Sequence, residues 1–381
     1  MQDNYRVALI IETSISFGRE LLKGINKYLQ AEKPWSIYIE QHQLWAMPAA
    51  WVMNSSWDGI ISRPTDKKLA AMFKQMNVPV IDLNDHHDNL GIPRVCADNV
   101  AIGELGARHL IERGFRNFAY CGFESGKWCN DRLNGFRHVV EEKNFFFDSF
   151  LSSTLRGDHG DWQAEQKALE EWLIGLPKPL ALMTCNDIRA QHVMNACKSI
   201  DIAIPENIAV IGVDNSDLFC ELCDPPLSSI NPDAESIGYH AAKLLHNMMQ
   251  GKDSSDLTLI QPKGIITRQS SDILAIDDEV LCKALHYIRE NACSGAVVDD
   301  IIRQCSVSRS LLERRFRKYL NRSPQAEIRQ VQVNRIKELL SSTDLSLKKI
   351  AELTGFEHPE YMSYVFKKIA QVSPGQFRKS I

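Results

Sequence analysis

No stretch of the 381 residues reaches the roughly 20 consecutive apolar positions that a membrane helix requires. The opening "MQDNYRVALIIETS" lacks a basic run followed by a long apolar core and a small-residue cleavage site, so it reads as a first β-strand of a cytoplasmic protein and not as an export signal. Ten cysteines are present, yet the one tight pair, Cys220 and Cys223 in "CELCDPP", has no second pair at the spacing of a zinc site. No metal and no cofactor is expected, and the cysteines read as buried, reduced residues. The chain also has no nucleophile elbow, no phosphate-binding glycine loop and no zinc dyad. "GFESGKW" contains Gly-Lys but lacks the first glycine at the needed distance. An α/β enzyme and an exported transport receptor remain rival readings, and these absences oppose both.

What is present is unevenly distributed. From residue 281 onward there are 18 Lys/Arg against 10 Asp/Glu, which leaves 26 against 38 for the rest of the 44 and 48. An acidic body joined to a basic end points to separate partners, with nucleic acid the first candidate for the basic end. At that length two or three domains are expected.

The basic end repeats itself. "SVSRSLLERRFRKYLNRSP" and "GFEHPEYMSYVFKKIAQVSP" place Phe316 and Phe366 alike, each followed after six residues by Ser-Pro. Upstream, Val298, Ile301 and Val307 match Leu347, Ile350 and Phe356, which marks a duplicated supersecondary unit. In "AVVDDIIRQC", Val298, Ile301, Ile302 and Cys305 have amphipathic helix spacing. "SVS" interrupts it, Ser308 suits an N-cap, and "RSLLERRFRKYL" puts Leu312, Phe316 and Leu320 on one face. The second copy pairs "LSLKKIAELT" with "PEYMSYVFKKI", Gly355 forming the turn, His358 a candidate N-cap and Pro359 the first helical residue. Each copy reads as a helix-turn-helix, over 298–320 and 347–369. Between them "SPQAEIRQVQVNRIKELLSST" reads as a long helix with apolar spacing at Ile328, Val331, Ile336, Leu339 and Leu340.

These paired units, with "IAELTGF" and "SYVFKKIAQVSPGQFR", make residues 282–381 resemble the DNA-binding domain of AraC/XylS regulators. A helical interaction bundle is the plainer alternative. In the first unit Arg314 can give two hydrogen bonds to guanine, Glu313 can accept from cytosine, and Ser310 lies one turn earlier. Glu360, Tyr361 and Tyr364 hold the equivalent places in the second; the family often has arginine where Tyr364 stands, so base reading by that unit is left open. Arg309, Lys318 and Lys367 are expected on phosphates, which orient without reading sequence.

Residues 1–272 alternate apolar strands ("YRVALIIET", "WSIYIEQ", "WDGIISR", "VPVIDLN", "NFAYCGF", "LALMTCND", "IAVIGVDN", "LTLIQPKG") with helices, the pattern of parallel sheets covered on both faces. Polar residues gather where strands end, at Glu12-Thr13, Asn186-Asp187 and Asp214-Asn215, the place where open α/β sheets bind ligands. "DNVAIGELGARHLIERGFRNFAYCGF", "NDRLNGFR", "TCNDIRAQHVMNACKSIDIAIPENIAVIGVDN" and "PPLSSINPD" resemble the effector domain of LacI/GalR regulators. That resemblance implies a two-lobed, type I periplasmic-binding-protein-like α/β domain, a linker over 273–281, and an all-α domain with two helix-turn-helix units.

It also implies ligand contacts. Arg132 in "NDRLNGF" matches the family's ligand arginine, Asp187 in "CND" and Asp214 in "GVDN" its carboxylates, and Trp162 in "GDWQAEQ" its ring-covering aromatic. Ser16 and Phe17, after the first strand, and Trp128, close to Arg132, complete the expected set. Asp187 could instead cap a helix, Asp214 shape a turn, and Trp162 be a surface residue. Together the two resemblances imply a sugar-responsive transcription regulator, D-xylose being the first effector to consider, or another small sugar, and activation or repression the outcome. A homodimer is expected, RNA polymerase is left open as a further partner, and no membrane is involved.

Overall fold

The computed structural model describes residues 5–31, 35–42, 55–87, 89–152, 162–252, 255–273 and 275–379. The chain divides into two compact units, Met1–Leu274 and Ala275–Ile381.

In the first unit, one lobe is a sheet of Arg6–Glu12 (β1), Ser36–His42 (β2), Gly59–Ser62 (β3), Val80–Asp82 (β4), Arg94–Ala97 (β5) and Leu257–Ile260 (β11). The other contains Asn117–Phe123 (β6), Phe146–Ser152 (β7), Leu180–Thr184 (β8), Ile208–Val213 (β9), Ser228–Asn231 (β10) and Gly264–Ile266 (β12). Their orders are β11-β5-β4-β3-β1-β2 and β12-β10-β9-β8-β6-β7. β10 pairs with β12 antiparallel, while its other neighbour and the remaining pairings are parallel. Parallel neighbours require crossover helices, and these bury both faces of the sheet. That burial is why β8 and β9 read as unbroken "LALMT" and "IAVIGV", with every residue inaccessible to solvent.

The chain passes between the lobes three times: after β5, after β10, and between β11 and β12. At the first crossing, helix Asn99–Glu112 is capped by Asp98, whose carboxylate accepts from the Ala101 amide at 3.0 Å. It packs on helix Lys127–Glu141 of the second lobe. The two helices meet backbone to backbone. A Cβ on Gly103 would lie 2.0 Å from the Arg132 carbonyl oxygen, and one on Gly135 would lie 2.1 Å from that of Val100. Only glycine permits that approach. At the second crossing, helix Ala234–Met249 returns to pack on α1 (Ser16–Ala31) of the first lobe.

The second unit is helical: Glu279–Asn291, Val298–Cys305, Arg309–Leu320, Pro324–Ser342, Leu347–Leu353, Pro359–Ala370 and Pro374–Lys379. The first of these begins inside the stretch expected as linker. Asp278 caps it through the Leu281 amide at 3.0 Å and also pairs with Arg315. Ser308 caps the Arg309–Leu320 helix as expected, accepting from Leu311. His358 holds the N-cap position of the matching helix without a side-chain bond to it. Phe316 and Phe366, the matched pair of the repeat, are both fully buried.

In the connecting helix the expected spacing is off by two residues at one point. Val333 is buried and Val331 only half-buried, because Gln332 also turns inward. Its Nε2 donates to the carbonyls of Ala292 and Thr354, both at 2.9 Å. Those carbonyls lie just ahead of the first helix-turn-helix and at the turn of the second. The turn itself uses Gly355 at φ 73°, whose missing Cβ would fall 2.9 Å from the Cys293 carbonyl oxygen.

Candidate functional site

At the carboxyl ends of the strands in the first unit, charged groups from both lobes converge. Helix Lys127–Glu141 presents Arg132, whose side chain is almost wholly buried. Its Nε donates to Asn99 Oδ1 at 2.8 Å and its Nη1 to the Cys185 carbonyl at 2.5 Å. The remaining nitrogen, Nη2, faces Asp214 Oδ1 at 3.8 Å. Trp128, one turn earlier, lies beneath the guanidinium, its ring centre 4.9 Å from the central carbon. Cationic and aromatic groups so stacked hold each other in place.

The other lobe supplies a second arginine that the sequence reading passed over. Arg63 follows β3, pairs with Glu12 at the end of β1, and lies over the ring of Phe17 at 4.7 Å. Burial lowers its pKa, while Asp85 and Asp214 hold its charge in place. Asp85, just beyond β4, binds the first lobe to the second. Its carboxylate accepts from Asn99 Nδ2 at 3.3 Å, and its carbonyl accepts from the Trp128 amide at 3.0 Å. Arg63, Glu12, Asp85 and Asn99 therefore join the expected set. The signal that could have found Arg63 and Asp85 is the one that found Asp214, namely a polar residue just past the end of a parallel strand.

Burial lifts the Asp214 carboxyl to about 6, and Asp85 adds to the lift, against the pull of Arg132 and Arg63. Asp214 also stands at φ 105°, a conformation that side chains other than glycine rarely adopt.

The expected residues do not all serve alike. Asp187 is not the helix cap; Asn186 is, accepting from the Arg189 amide at 2.9 Å. Asp187 is buried, with Oδ1 accepting from Ser229 Oγ at 2.6 Å. Its Oδ2 accepts from the Ser216 amide at 3.0 Å and from Cys220 Sγ at 3.4 Å. Burial raises its carboxyl to about 7. It braces the loop that carries Asp214. Phe17 is buried under Arg63, and Ser16 is half-buried at the start of α1. Trp162 opens a helix, is half exposed, and meets His192 edge-on at 4.8 Å; it is not brought together with Arg132 by any of these contacts. The preceding residues, 153–161, lie outside the described ones.

In the second unit, Arg314 is exposed on helix Arg309–Leu320, whereas its neighbour Arg315 turns inward to Asp278. Ser310 is exposed, and Arg309 lies 3.8 Å from both Asp299 and Glu313. On helix Pro359–Ala370, Glu360, Tyr361, Tyr364 and Lys367 are exposed. The two tyrosine rings lie nearly parallel, 6.4 Å apart, and Arg329 of the connecting helix lies over Tyr361 at 5.3 Å. Lys318 is exposed on the first helix, near the Tyr319 hydroxyl. Each copy thus offers a polar outer face on its second helix, the one that enters a major groove.

Three family descriptions match successive parts of the chain: an XylR N-terminal domain over residues 6–100, a periplasmic binding protein-like domain over 107–271, and a helix-turn-helix domain over 301–380. The xylose operon regulatory protein of Haemophilus influenzae is 31% identical across 98% of this chain and 98% of its own length. That of Escherichia coli is 31% identical across 98% and 97%. The chain belongs to the xylose operon regulatory protein family. A solved structure titled as the xylose-binding transcription activator xylR superposes with a TM-score of 0.86 at 30% identity, covering 100% of this chain and 99% of that one. The family is one of DNA-binding transcription regulators, not enzymes, and in this family member the α/β effector unit precedes the helical DNA-binding unit. Among the described residues no helix is long and apolar enough to cross a membrane.

Proposed function

We propose that this chain is a D-xylose-responsive activator, acting in the cytoplasm as a homodimer on promoter DNA and delivering its response through RNA polymerase. The observation that carries the effector reading is the pair Arg132 and Asp214, opposed at 3.8 Å with Arg63 and Asp85 facing them from the other lobe. Guanidinium donors and carboxylate acceptors in a sheltered cleft match the alternating hydroxyls of a small sugar. Contacts from both lobes favour the closed arrangement only when the sugar is present, so binding shifts the population toward it.

Residues 1–272 form the effector domain in this reading, 273–281 the connection and 282–381 the DNA reader. Ser310, Glu313 and Arg314 read bases, joined by Glu360, Tyr361 and Tyr364, while Arg309, Lys318 and Lys367 hold phosphates. Calorimetry against a panel of pentoses and hexoses tests the effector assignment. D-xylose should bind most tightly, and heat from no sugar would end the reading.

A further inference from the structure

The loop that carries Asp214 has a backbone that needs outside support. Asp214 and Asn215 stand at φ 105° and 43° in succession, both in the region that L side chains rarely adopt. From the sheet side, the Asp214 amide donates to the Ile230 carbonyl, the Asn215 amide to Ser229 Oγ and the Ser216 amide to Asp187, each at 3.0 Å. From the other side Arg268 grips it. Arg268 Nη1 donates to Asn215 Oδ1 and to the Leu227 carbonyl, both at 3.0 Å, and Nη2 donates to Asp217 Oδ1 at 3.1 Å.

Arg268 is itself the start of a strap. Its amide donates to Ser228 Oγ, which in turn donates to its carbonyl, both at 2.8 Å. Ser270 Oγ donates to the Val210 carbonyl at 2.7 Å, and Arg113 Nε donates to the Ser271 carbonyl at 3.0 Å. The first compact unit ends soon after, at Leu274. The loop whose Asp214 faces Arg132 and the strap that leads on toward the DNA-binding unit are thus joined through one guanidinium.

We infer that Arg268 is a positioning residue that couples occupancy of the Asp214 loop to the placement of the 268–273 strap, and so carries the effector signal toward the DNA-binding unit. The inference rests on the effector reading of Asp214. A sugar that draws Asp214 onto its hydroxyls turns the backbone at 214 and 215, and this moves Asn215 Oδ1 and Asp217 together. The rigid fork of arginine spans both acceptors and the Leu227 carbonyl at once, so it transmits the shift and does not absorb it; lysine, a point charge on a flexible stem, cannot span all three.

The test uses the full chain with D-xylose as probe. Calorimetry gives sugar affinity, and fluorescence anisotropy gives operator affinity with and without sugar, for wild type, Arg268→Lys and Asn215→Gly. Glycine accepts the positive φ at 215 and removes the Oδ1 acceptor of Arg268 together with the Nδ2 donor to Asp217 Oδ1. Both variants should keep sugar affinity within about threefold while the sugar-dependent change in operator affinity shrinks by about tenfold, a loss within the usual range of coupling between sites. Asp217→Asn, at a mostly exposed side chain, should give a smaller loss in the same direction. A full-sized response in both main variants overturns the inference. So does a sugar affinity that falls in step with the response, since Arg268 would then be part of the binding site. If the wild type binds no D-xylose, the effector reading fails and takes this inference with it.

Discussion

Arg132 stops 3.8 Å short of Asp214 while its other two guanidinium nitrogens are committed to Asn99 and the Cys185 carbonyl. The gap is too long for a hydrogen bond, so one donor direction and one carboxylate remain for a ligand to bridge. The two committed bonds fix the plane of the fork before any ligand arrives.

Removal of either partner should therefore weaken sugar binding without disturbing DNA. Asp214→Ala and Arg132→Ala should each cost about 1–3 kcal/mol or more of sugar affinity, because the other group is then left unpaired in a closed site. Operator affinity in the absence of sugar should stay close to wild type. Calorimetry and anisotropy on the same preparations check both halves, and unchanged sugar affinity in both variants would remove the cleft assignment.

Sugar affinity should also fall in acid. Burial holds the Asp214 carboxyl at about 6 against the pull of Arg132 and Arg63, with Asp85 adding to the lift. Sugar hydroxyls donate to the ionised form, so binding is full above that value and declines below it, by up to about tenfold per pH unit once Asp214 is protonated. The effect on folding runs the other way: a raised carboxyl contributes most to stability at low pH and loses that contribution as pH rises from its ordinary range through about 6. A titration series between pH 5 and 8 should show the affinity loss on the acid side, and Asp214→Asn should flatten it.

The repeated units should divide their labour on DNA. Two second helices fixed by one connecting helix should occupy successive major-groove segments about 34 Å apart. Arg314→Ala should cost about 1–3 kcal/mol at its own base pair and relax specificity there. Lys367→Ala should weaken all sequences alike and lower the salt slope by about one. Footprints on short duplexes decide it, since protection of a single groove segment per chain would make the second copy a scaffold.

Gln332→Leu should loosen the whole helical unit. The variant leaves the Ala292 and Thr354 carbonyls without their donor inside the fold, a cost of about 1–3 kcal/mol. Amide exchange in helices Val298–Cys305 and Leu347–Leu353 should quicken together, because one side chain serves both. Exchange confined to one of them would show that the bridge is not shared.

The fold was largely legible because parallel strands buried on both faces must be apolar without interruption, as in "VALIIE" and "IAVIGV". The four strands not anticipated are edge or short ones: "RVCA", "FFDSFLS", "SSIN" and "GII". β10 is half serine because its hydroxyls serve the Asp187 carboxylate and the Arg268 backbone, which no hydropathy pattern conveys. Gln332 was missed for the same reason, since a buried amide is explained only by partners distant in the chain. Within the cleft, Arg132 and Asp214 were legible as motif residues; Arg63 and Asp85 carry only the weaker mark of a polar residue past a strand end, and that they meet Asp214 depends on which strand ends face each other across two lobes.

The glycine contact between helices Asn99–Glu112 and Lys127–Glu141 has a consequence for redesign. With Gly103 against the Arg132 carbonyl and Gly135 against that of Val100, no side chain lies between the two backbones to yield or to fill space. The anchor of the guanidinium is a hard stop with no slack to tune. A library seeking a different sugar should therefore leave positions 103 and 135 fixed and draw its diversity from side chains that reach into the cleft from the opposite lobe, where Arg63, Glu12 and Asp85 stand at strand ends.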